Sequence, residues 1–210
     1  MALLIRPLLP GDLPVLDQAL RAQGRFIDHA ARWQKVEAGR TVYLVAWDGP
    51  SPLGHVLLHD AVPTLQRPLE VQSQGTAWIE DLWVAPEHRG CGLAHLLMDA
   101  AESLATVRGH RLVGLDVGLE NERAQALYHR RGYLRLSVPP YVIGGVNVVD
   151  GQAVEGRMHF SDQAARRCLI GKDGLPGHGE WFNTVTPRRS IPRHAWLLQT
   201  RNDVKTLASA

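Results

Sequence analysis

The chain has 210 residues, 45% of them hydrophobic and 21% charged, and it carries a formal net charge of +2. This composition excludes an intrinsically disordered chain, and no apolar run approaches the roughly 20 residues that a membrane-spanning helix needs. A chain of this length buries roughly 70% of its surface in a single core, which predicts one main domain. Its first residues lack the basic and long apolar regions of a secretory signal peptide. We therefore expect a cytoplasmic protein with no membrane partner.

Cysteine and histidine usage argues against a disulfide framework and against a metal site. The two cysteines, Cys91 and Cys168, lie far apart in the chain, and neither belongs to a C-x-x-C pair. The ten histidines show no metal-ligand spacing of the H-E-x-x-H type. The sequence therefore predicts two reduced cysteines and no metal.

The first sixty residues predict one strand, two helices and a hairpin. Residues 1–7 are typical of a strand, Asp12 is placed to cap the first helix, and the second helix ends near Gly39. Two β-rich runs, Thr41–Trp47 and Leu53–His59, are separated by Asp, Gly and Pro residues that favour turns. These two runs are therefore expected to form a hairpin.

The middle of the chain predicts alternating strands and helices. Strands and helices in this order imply parallel strands joined by right-handed crossovers. The predicted elements are a strand at Thr76–Val84, a helix between Pro86 and Gly109, a strand at Leu112–Val117, a helix from Asn121 to about Arg131, and a strand from Tyr133.

The pattern fades from Gly144 onward, where only His194–Gln199 is typical of a strand. This end of the chain is basic, since residues 151–210 carry nine Lys and Arg against five Asp and Glu, while the rest carries 14 against 16. We therefore divide the chain into a domain of residues 1–145 and a basic extension of residues 146–210 whose structure the sequence does not define. A docked arm, an element exchanged between the subunits of a homodimer, and a mobile end are the alternatives for the extension.

A glycine-containing loop separates the strand Thr76–Val84 from the following helix. The first N–H groups of a helix are unpaired and suit a phosphate, and Gly90 and Gly92 let the backbone approach it closely. Arg89 adds a positive charge, and Ala94 keeps the first helical turn narrow. No Gly-Lys-Ser/Thr follows, and the third glycine of a dinucleotide fingerprint is missing. The loop is thus predicted to bind phosphate without being a P-loop or a dinucleotide loop.

Two segments of the chain resemble the GNAT superfamily of acetyltransferases. Arg89–Ala94 is similar to the R-x-x-G-x-A form of that superfamily's coenzyme A loop, and Val84-x-Pro86 before it is also similar. Asn121–Tyr133 resembles the N-x-x-A-x-x-L-Y-x-x-x-G-[FY] segment of the same superfamily. The resemblance covers about residues 3–140 and implies an N-acetyltransferase that uses acetyl-CoA as its co-substrate.

The resemblance also implies a fold and a coenzyme site. In this superfamily two parallel strands of a mixed central sheet splay apart, and the pantetheine arm pairs with the free edge of the first strand, as another strand would. On this chain that edge is Leu82–Val84, so we expect an α/β fold with splayed parallel strands, followed by the extension. The coenzyme-binding residues implied are Leu82, Trp83, Val84, Arg89, Gly90, Cys91, Gly92, Leu93, Ala94, Asn121, Ala124 and Tyr128.

Tyr128 is the catalytic acid that the resemblance implies. Asn121, Ala124 and Tyr128 lie at i, i+3 and i+7 and therefore share one face of their helix. The Tyr128 phenol would protonate the departing thiolate, and the alternative is a tyrosine that only packs. Asn121 fits a helix N-cap equally well.

Glu80 is the predicted base. Glu80 and Asp81 are consecutive in an otherwise apolar strand, so simple alternation places them on opposite faces, with one in the cleft. Glu80 matches a position where several members of the superfamily carry a glutamate that polarises water or the amine. A strand-edge charge, and attack without a protein base, are the alternatives.

The sequence leaves the acceptor amine open, whether on a small molecule or on a protein. In the superfamily the acceptor lies against the helices after the first strand and against variable loops, here Ala61–Gly75. The side chains expected there mix aromatic, basic and neutral character, which selects no acceptor class. They are Phe26, His29, Arg32 and Trp33.

Two other functions are weighed against the enzyme. The first is a module that binds acyl-CoA without turnover, as a sensor; Tyr128 and the intact loop Arg89–Ala94 favour the enzyme. The second is a basic extension that binds nucleic acid or an acidic protein. Aromatic residues are not regularly interleaved with its arginines, so nucleic acid is not an expected partner.

Overall fold

A computed structural model of the protein describes residues 3–62, 75–149 and 152–168, with residues 142–149 and 152–168 given by their main-chain course alone. The helices are α1 (Leu13–Ala22), α2 (His29–Glu37), α3 (Leu93–Val107) and α4 (Glu122–Arg130). The strands are β1 (Leu3–Pro7), β2 (Thr41–Asp48), β3 (Ser51–His59), β4 (Thr76–Val84), β5 (Leu112–Gly118), β6 (Leu134–Arg135), β7 (Tyr141–Val149) and β8 (Gln152–Cys168).

The described strands form one mixed sheet, as predicted. Its order is β1-β2-β3-β4-β5-β8-β6, and β7 pairs with β8. Within this sheet β4 and β5 run parallel, because α3 carries the chain back between them, and the other described pairings are antiparallel. The parallel pair therefore lies near the middle of the sheet, flanked by antiparallel strands.

The helices cover both faces of the sheet. On one face Ile79 and Leu115 share a buried core with α3 residues such as Leu97. On the opposite face Leu57 shares a second core with α1 residues such as Leu16. Successive residues of a strand point to opposite faces, so β3 and β4 contribute to both cores.

The elements predicted up to α4 are confirmed, but Asp12 does not cap α1. Its carboxylate accepts a hydrogen bond from the Arg6 guanidinium, at 2.9 Å, and one from the Leu9 N–H, at 2.8 Å. A charged, two-pronged donor binds a carboxylate more strongly than a helix N–H does. Asp12 therefore ties the start of α1 to β1.

The parallel pairing predicted for the strand after α4 is wrong. β8 lies between β5 and β6 and runs antiparallel to both. All seven residues of β5 pair with β8, from Leu112 with Cys168 to Gly118 with Asp162. With β4 on its other side, β5 has no edge left for β6.

The strands β7 and β8 are absent from the sequence prediction. They form an antiparallel hairpin in which Tyr141 pairs with Asp162 and Val149 with Gln152. The domain boundary predicted at residue 145 falls inside β7, and β8 joins this hairpin to the main sheet. The strand predicted at His194–Gln199 lies outside the described residues.

Gly114 leaves the space that Trp78 occupies between β4 and β5. The two residues are register partners, Trp78 is fully buried, and a Cβ at Gly114 would lie 2.3 Å from the Trp78 ring. Gly114→Ala should therefore lower the free energy of unfolding by about 1–3 kcal/mol, because a buried ring or a strand must shift. Urea unfolding measures this loss.

Gly11→Ala is the matched control, because a Cβ at Gly11 meets no atom within 4 Å. Its free energy of unfolding should change by less than about 0.5 kcal/mol. The double variant Trp78→Phe/Gly114→Ala should lose less than the sum of the two single losses, since the smaller ring leaves room for the methyl group. Additive losses would contradict the contact.

Candidate active site

The pairing between the parallel strands β4 and β5 ends halfway along β4. Their pairing runs from Thr76 with Leu112 to Ile79 with Leu115 and then ends. The second half of β4, residues 80–84, keeps its partner β3 on one side but has no pairing with β5 on the other. The splayed strands that the resemblance implies are therefore present in this sheet.

A β-bulge at Asp81 accompanies this separation. His55 of β3 pairs with Trp83 and Leu57 pairs with Glu80, so Val56 faces two residues of β4 instead of one. Asp81 adopts φ of 50°, in the left-handed region. Aspartate tolerates this conformation better than most residues other than glycine, and an extra residue in one strand bends it and increases its twist.

The bulge puts Glu80 and Asp81 on the same face of the sheet. His59 donates a hydrogen bond from Nε2 to Glu80 at 2.7 Å, and His55 does the same to Asp81 at 3.1 Å. His55 and His59 lie four residues apart on β3 and so share a face. The prediction that alternation separates the two carboxylates is therefore wrong, because the bulge interrupts that alternation.

The loop between β4 and α3 leaves the helix N-terminus open. Gly92 is the N-cap of α3, with φ of 91°, and no side chain caps the helix. Gly90 also has a positive φ, of 79°, so both glycines hold conformations that are strained for other residues. The buried Leu93 and the half-buried Ala94 form the first turn. The first N–H groups of α3 therefore lack a side-chain acceptor among the described residues.

Arg89 and Cys91 shape the same loop. The Arg89 Nε–H donates to the Val84 carbonyl oxygen at 2.9 Å, which folds the loop back onto the end of β4. The exposed Cys91 thiol donates to the His88 carbonyl oxygen at 2.8 Å. Beyond the bulge, Leu82 packs against the α3 core and Trp83 against the α1 core. All these predicted residues thus line the end of β4 or the loop.

α4 carries the other predicted residues and differs from α3 at its start. The Asn121 side chain accepts a hydrogen bond from the Ala124 N–H at 3.1 Å and caps the helix. Ala124 is half-buried, and Tyr128 is buried with its ring 5.7 Å from the Tyr133 ring, centroid to centroid. Among the described residues, no group forms a hydrogen bond with the Tyr128 hydroxyl.

The Tyr128 phenol is held in its protonated form. Burial raises the pKa of Tyr128 to about 12, the Asp81 carboxylate acts in the same direction, and Arg131 acts against them. The Arg131 guanidinium also binds Asp99, at 2.7 Å, and Glu102, at 3.0 Å, which fastens the end of α4 to α3. Tyr128 therefore carries a neutral hydroxyl on a helix that ion pairs fasten to α3, and the negative charge of Asp81 acts on that hydroxyl.

Asp81 is the centre of a cluster that joins β3, β4 and the first two helices. Arg25 donates to one of its carboxylate oxygens and Arg32 to the other, each at 2.7 Å. Burial by itself would raise the pKa of Asp81, but the hydrogen bond from His55 and the two guanidinium charges hold it well below its usual range. Burial lowers the pKa of His55, so His55 is a neutral donor to this carboxylate.

Glu80 ends a second, shorter chain of hydrogen bonds. A carboxylate only accepts, so His59 donates to Glu80 from Nε2, and its Nδ1 lies 2.9 Å from the Thr41 hydroxyl oxygen, within hydrogen-bond distance. Burial favours a higher pKa for Glu80, but the hydrogen bond from His59 and the charges of Lys35 and Arg32 lower it to about 2. Glu80 is thus ionised at neutral pH and only a weak base.

The expected acceptor residues fall into two groups. Arg32 binds Asp81 and also donates to the Tyr43 hydroxyl at 3.2 Å, and the buried His29 ring lies 6.2 Å from the Tyr43 ring. Phe26 is exposed instead, and the Trp33 indole N–H donates to Glu37 of its own helix. Most of the loop Ala61–Gly75 lies outside the described residues.

Sequence reasoning missed Arg25, His55 and His59. Alternation along β3 does place both histidines on one face, together with Leu57, and this signal was available in the sequence. Nothing local to Arg25 marks it, because its partner Asp81 lies 56 residues away.

The described residues contain neither a cluster of metal ligands nor a membrane-spanning helix. Within residues 3–62, 75–149 and 152–168, no group of three or more His, Cys, Asp or Glu side chains is arranged to hold a metal ion. None of the four described helices has the length and apolar character needed to cross a bilayer.

A model of the acetyltransferase (GNAT) family matches residues 13–133, which is more than half of the chain. The chain belongs to the GNAT acetyltransferase family. The matched range includes the bulge, the loop Arg89–Ala94 and α4, so the family predicted from the two motifs is confirmed. This GNAT protein is accordingly an acyltransferase by family.

A relative of this GNAT protein also bears the name of an N-acetyltransferase. A stretch of 63 residues is 36% identical to an uncharacterized N-acetyltransferase of Methanocaldococcus jannaschii, and it covers 30% of this chain and 28% of that relative. The chain thus matches less than a third of the length of this curated relative.

Solved structures share the fold of this GNAT protein. NAA60 of Arabidopsis thaliana, solved with acetyl-CoA, is 22% identical with a TM-score of 0.58, over 81% of this chain and 100% of that one. The PaiA N-acetyltransferase of Thermoplasma acidophilum, solved with coenzyme A, is 17% identical with a TM-score of 0.51, over 80% and 99%. At such low identity the likeness establishes the fold, and the predicted fold class is confirmed.

The Asp81 cluster yields a prediction about stability and pH. The pKa of Asp81 in the fold lies below its value in the unfolded chain, about 3.9, so its ionised form stabilises the protein above that pH. Asp81→Asn should lower the free energy of unfolding at pH 7 by about 3 kcal/mol, because Arg25 and Arg32 lose their carboxylate. Urea unfolding from pH 7 to pH 3 measures the difference between the two proteins.

The difference in the free energy of unfolding between wild type and Asp81→Asn should become smaller below about pH 4. Below that pH the Asp81 carboxyl group of the wild-type protein takes up a proton on unfolding, which costs the wild type stability. Asp17→Asn is the matched control, because Asp17 pairs with Arg21 of its own helix and its other neighbour, His29 at 3.7 Å, is neutral at pH 7. Its loss should be less than about 1 kcal/mol. A loss in Asp81→Asn as small as that of the control, or one that does not change with pH, would show that the cluster is not coupled to folding.

Proposed function

We propose that the protein transfers an acetyl group from acetyl-CoA directly to a primary amine of its acceptor. One arrangement carries the proposal: Val84 at the unpaired end of β4, Leu93 at the uncapped start of α3 and the buried Tyr128 of α4 belong to one core. The first two suit an extended amide and a phosphate, and the third suits a leaving group that gains negative charge. The family supports the same reaction class.

The coenzyme would use main-chain groups more than side chains. The pantetheine amides would pair with the free edge of β4 at Leu82–Val84, as a further strand would. The pyrophosphate would lie on the N–H groups at the start of α3, where the helix dipole favours negative charge. The positive φ of Gly90 and Gly92 turns the loop around that position. NAA60 and PaiA, which share this fold, were solved with acetyl-CoA and coenzyme A respectively.

The transfer needs no covalent enzyme intermediate. The neutral amine attacks the thioester carbonyl carbon, a C–N bond forms, the C–S bond breaks, and the electron pair leaves on sulfur. Tyr128 gives its proton to that thiolate, and the phenolate recovers a proton from solvent. The nitrogen releases its surplus proton to water, which leaves an amide and a free thiol.

The environments of Tyr128 and Glu80 suit different parts of this step. A phenol with a pKa of about 12 stays protonated over the working range of pH, so Tyr128 can donate a hydrogen bond to the sulfur as negative charge develops there. A carboxylate with a pKa of about 2 removes protons poorly, because efficient bases titrate near the working pH. We therefore assign Glu80 the role of hydrogen-bond acceptor for the amine or for a water, held in place by His59.

Gly92 provides a test of the phosphate site. Gly92→Asp and Gly92→Asn carry the same backbone strain at φ of 91°, but only aspartate places a negative charge where the pyrophosphate would lie. Gly92→Asp should bind acetyl-CoA at least about tenfold more weakly than Gly92→Asn, and added salt should narrow this gap. Isothermal titration calorimetry measures both affinities. Equal affinities in the two variants would place the phosphate elsewhere.

Tyr128 provides a test of the chemical step. Tyr128→Phe keeps the ring against Tyr133 and should spare acetyl-CoA affinity, but kcat should fall by at least about tenfold. Thiol release with a saturating amine gives kcat, and calorimetry gives the affinity.

Tyr133→Phe is the matched control, because it removes a hydroxyl that donates to Glu102 between α3 and α4. It should lower stability and leave kcat within about twofold of wild type. A wild-type kcat in Tyr128→Phe would leave Tyr128 as a packing residue. Binding of acetyl-CoA with no thiol release from any amine would instead indicate a sensor.

A further inference from the structure

Five charged residues that act on one another lie on the sheet face beside the unpaired half of β4. We use the name acceptor face for Arg25, Arg32, Lys35, Glu80 and Asp81, which lie on the α1 and α2 side of β4 and act on one another electrostatically. Three cations stand against two carboxylates, and the neighbouring His29 and His55 have lowered pKa values and are neutral at pH 7. These five residues together therefore carry more positive than negative charge.

The two carboxylates of the acceptor face are already paired within the protein. Both oxygens of Asp81 accept from guanidinium groups, and Glu80 accepts from His59. An acceptor with several ammonium groups would have to displace the arginines to reach Asp81, so only Glu80, whose Oε2 accepts from His59, would be open to one of them. A polycationic amine is thus a poor match for the described residues.

Arg25 retains hydrogen-bonding capacity, in contrast to Arg32. Arg32 uses one nitrogen on Asp81 and another on Tyr43. Arg25 uses Nη2 alone, its Nε is buried with no acceptor among the described residues, and 35% of its side chain remains exposed beside the Trp83 ring. Buried donors of this kind are uncommon, because an unpaired buried N–H is costly.

The position of Arg25 relates it to the reacting atoms. Arg25 binds Asp81 directly, and the Asp81 charge acts on the Tyr128 hydroxyl, which the proposed function places at the leaving sulfur. Asp81 lies on the part of β4 that has no pairing with β5, so an anionic group held by Arg25 would lie beside the strand that the proposed function gives to the coenzyme. Guanidinium groups bind carboxylates in a planar, two-pronged geometry that fixes orientation as well as charge.

We propose that the acceptor is an amino acid or a closely related amino carboxylate, and that Arg25 binds its carboxylate. This inference rests on the proposed function and specifies its substrate class. The carboxylate occupies donors of Arg25 that Asp81 leaves unused, and the amine then points toward the thioester. An amine that lacks the carboxylate leaves the same donors unpaired, and the site discriminates against it.

The test compares acceptors that differ at the carboxylate alone. Each α-amino acid of a panel is assayed by thiol release beside its own carboxamide, and a polyamine is included. For at least one side chain, kcat/KM is expected to be at least about tenfold higher for the acid than for its amide. The polyamine is expected to have a lower kcat/KM than that amide. Acid and amide values that are equal for every side chain, or a polyamine that exceeds them, would overturn the inference.

Variants of Arg25 connect the preference to this residue. Arg25→Met should reduce the acid-to-amide ratio of kcat/KM to near one, and Arg25→Lys, which keeps the charge without the planar fork, should give an intermediate ratio. Arg21→Met is the matched control: Arg21 lies near the end of α1, four residues before Arg25, but pairs with Asp17 of its own helix. The acid-to-amide ratio of this variant should therefore equal that of wild type. If Arg25→Met does not fold, as judged by urea unfolding, the Arg25→Lys ratio decides. A wild-type ratio in Arg25→Lys and in any folded Arg25→Met overturns the inference.

The design also separates this inference from the proposed function. Transfer to amides and acids alike overturns the inference and leaves the acetyltransferase intact. Acetyl-CoA binding without thiol release from any acceptor overturns the proposed function, and the inference fails with it.

Discussion

The bulge at Asp81 is the constraint on which the rest of the site depends. It adds one residue to β4 opposite Val56. The pairing of β4 with β5 ends at Ile79, two residues before the bulge. The same residue turns its carboxylate toward the first two helices, where Arg25 and Arg32 bind it. One left-handed residue therefore connects three features: a free strand edge, two carboxylates on one face, and helices anchored over that face. An alanine at this position would lose the ion pairs and be strained in the left-handed backbone.

The buried charges at Asp81 specify geometry more than they add stability. The desolvation of a carboxylate and two guanidinium groups offsets much of the free energy of their attraction. A buried ion pair of this kind therefore stabilises the fold little relative to apolar packing, although removal of one partner is strongly destabilising. What the cluster does provide is direction. Arg25, in the connection between α1 and α2, and Arg32, on α2, bind different oxygens of Asp81, which fixes that connection over β4. The acceptor side of the site is thus tied to the strand that would hold the coenzyme.

The sequence predicts those parts of the molecule whose signals are local. The bounds of β4 match the prediction, and α4 begins one residue after the predicted Asn121, which caps it. Periodicity could not reveal the bulge, because it arises from the register between β3 and β4. The position of β8 between β5 and β6 likewise depends on a pairing across some fifty residues. The motif residues could be predicted because their signal is local. Arg25 could not, because it belongs to the site only through Asp81, 56 residues away.

The two helix starts that flank the parted strands differ in a way that assigns their roles. α4 follows β5 and is closed by its own Asn121 side chain, while α3 follows β4 and has no side-chain cap. A capped helix start has satisfied part of its N–H groups and offers less to an anion. The phosphates are therefore expected on α3, and α4 is left to present Tyr128. Arg131 anchors the far end of α4 to Asp99 and Glu102 of α3, so the helix that would hold the phosphates also positions the acid. A shift of α3 would move both together, which keeps the phenol in register with the sulfur of a bound coenzyme.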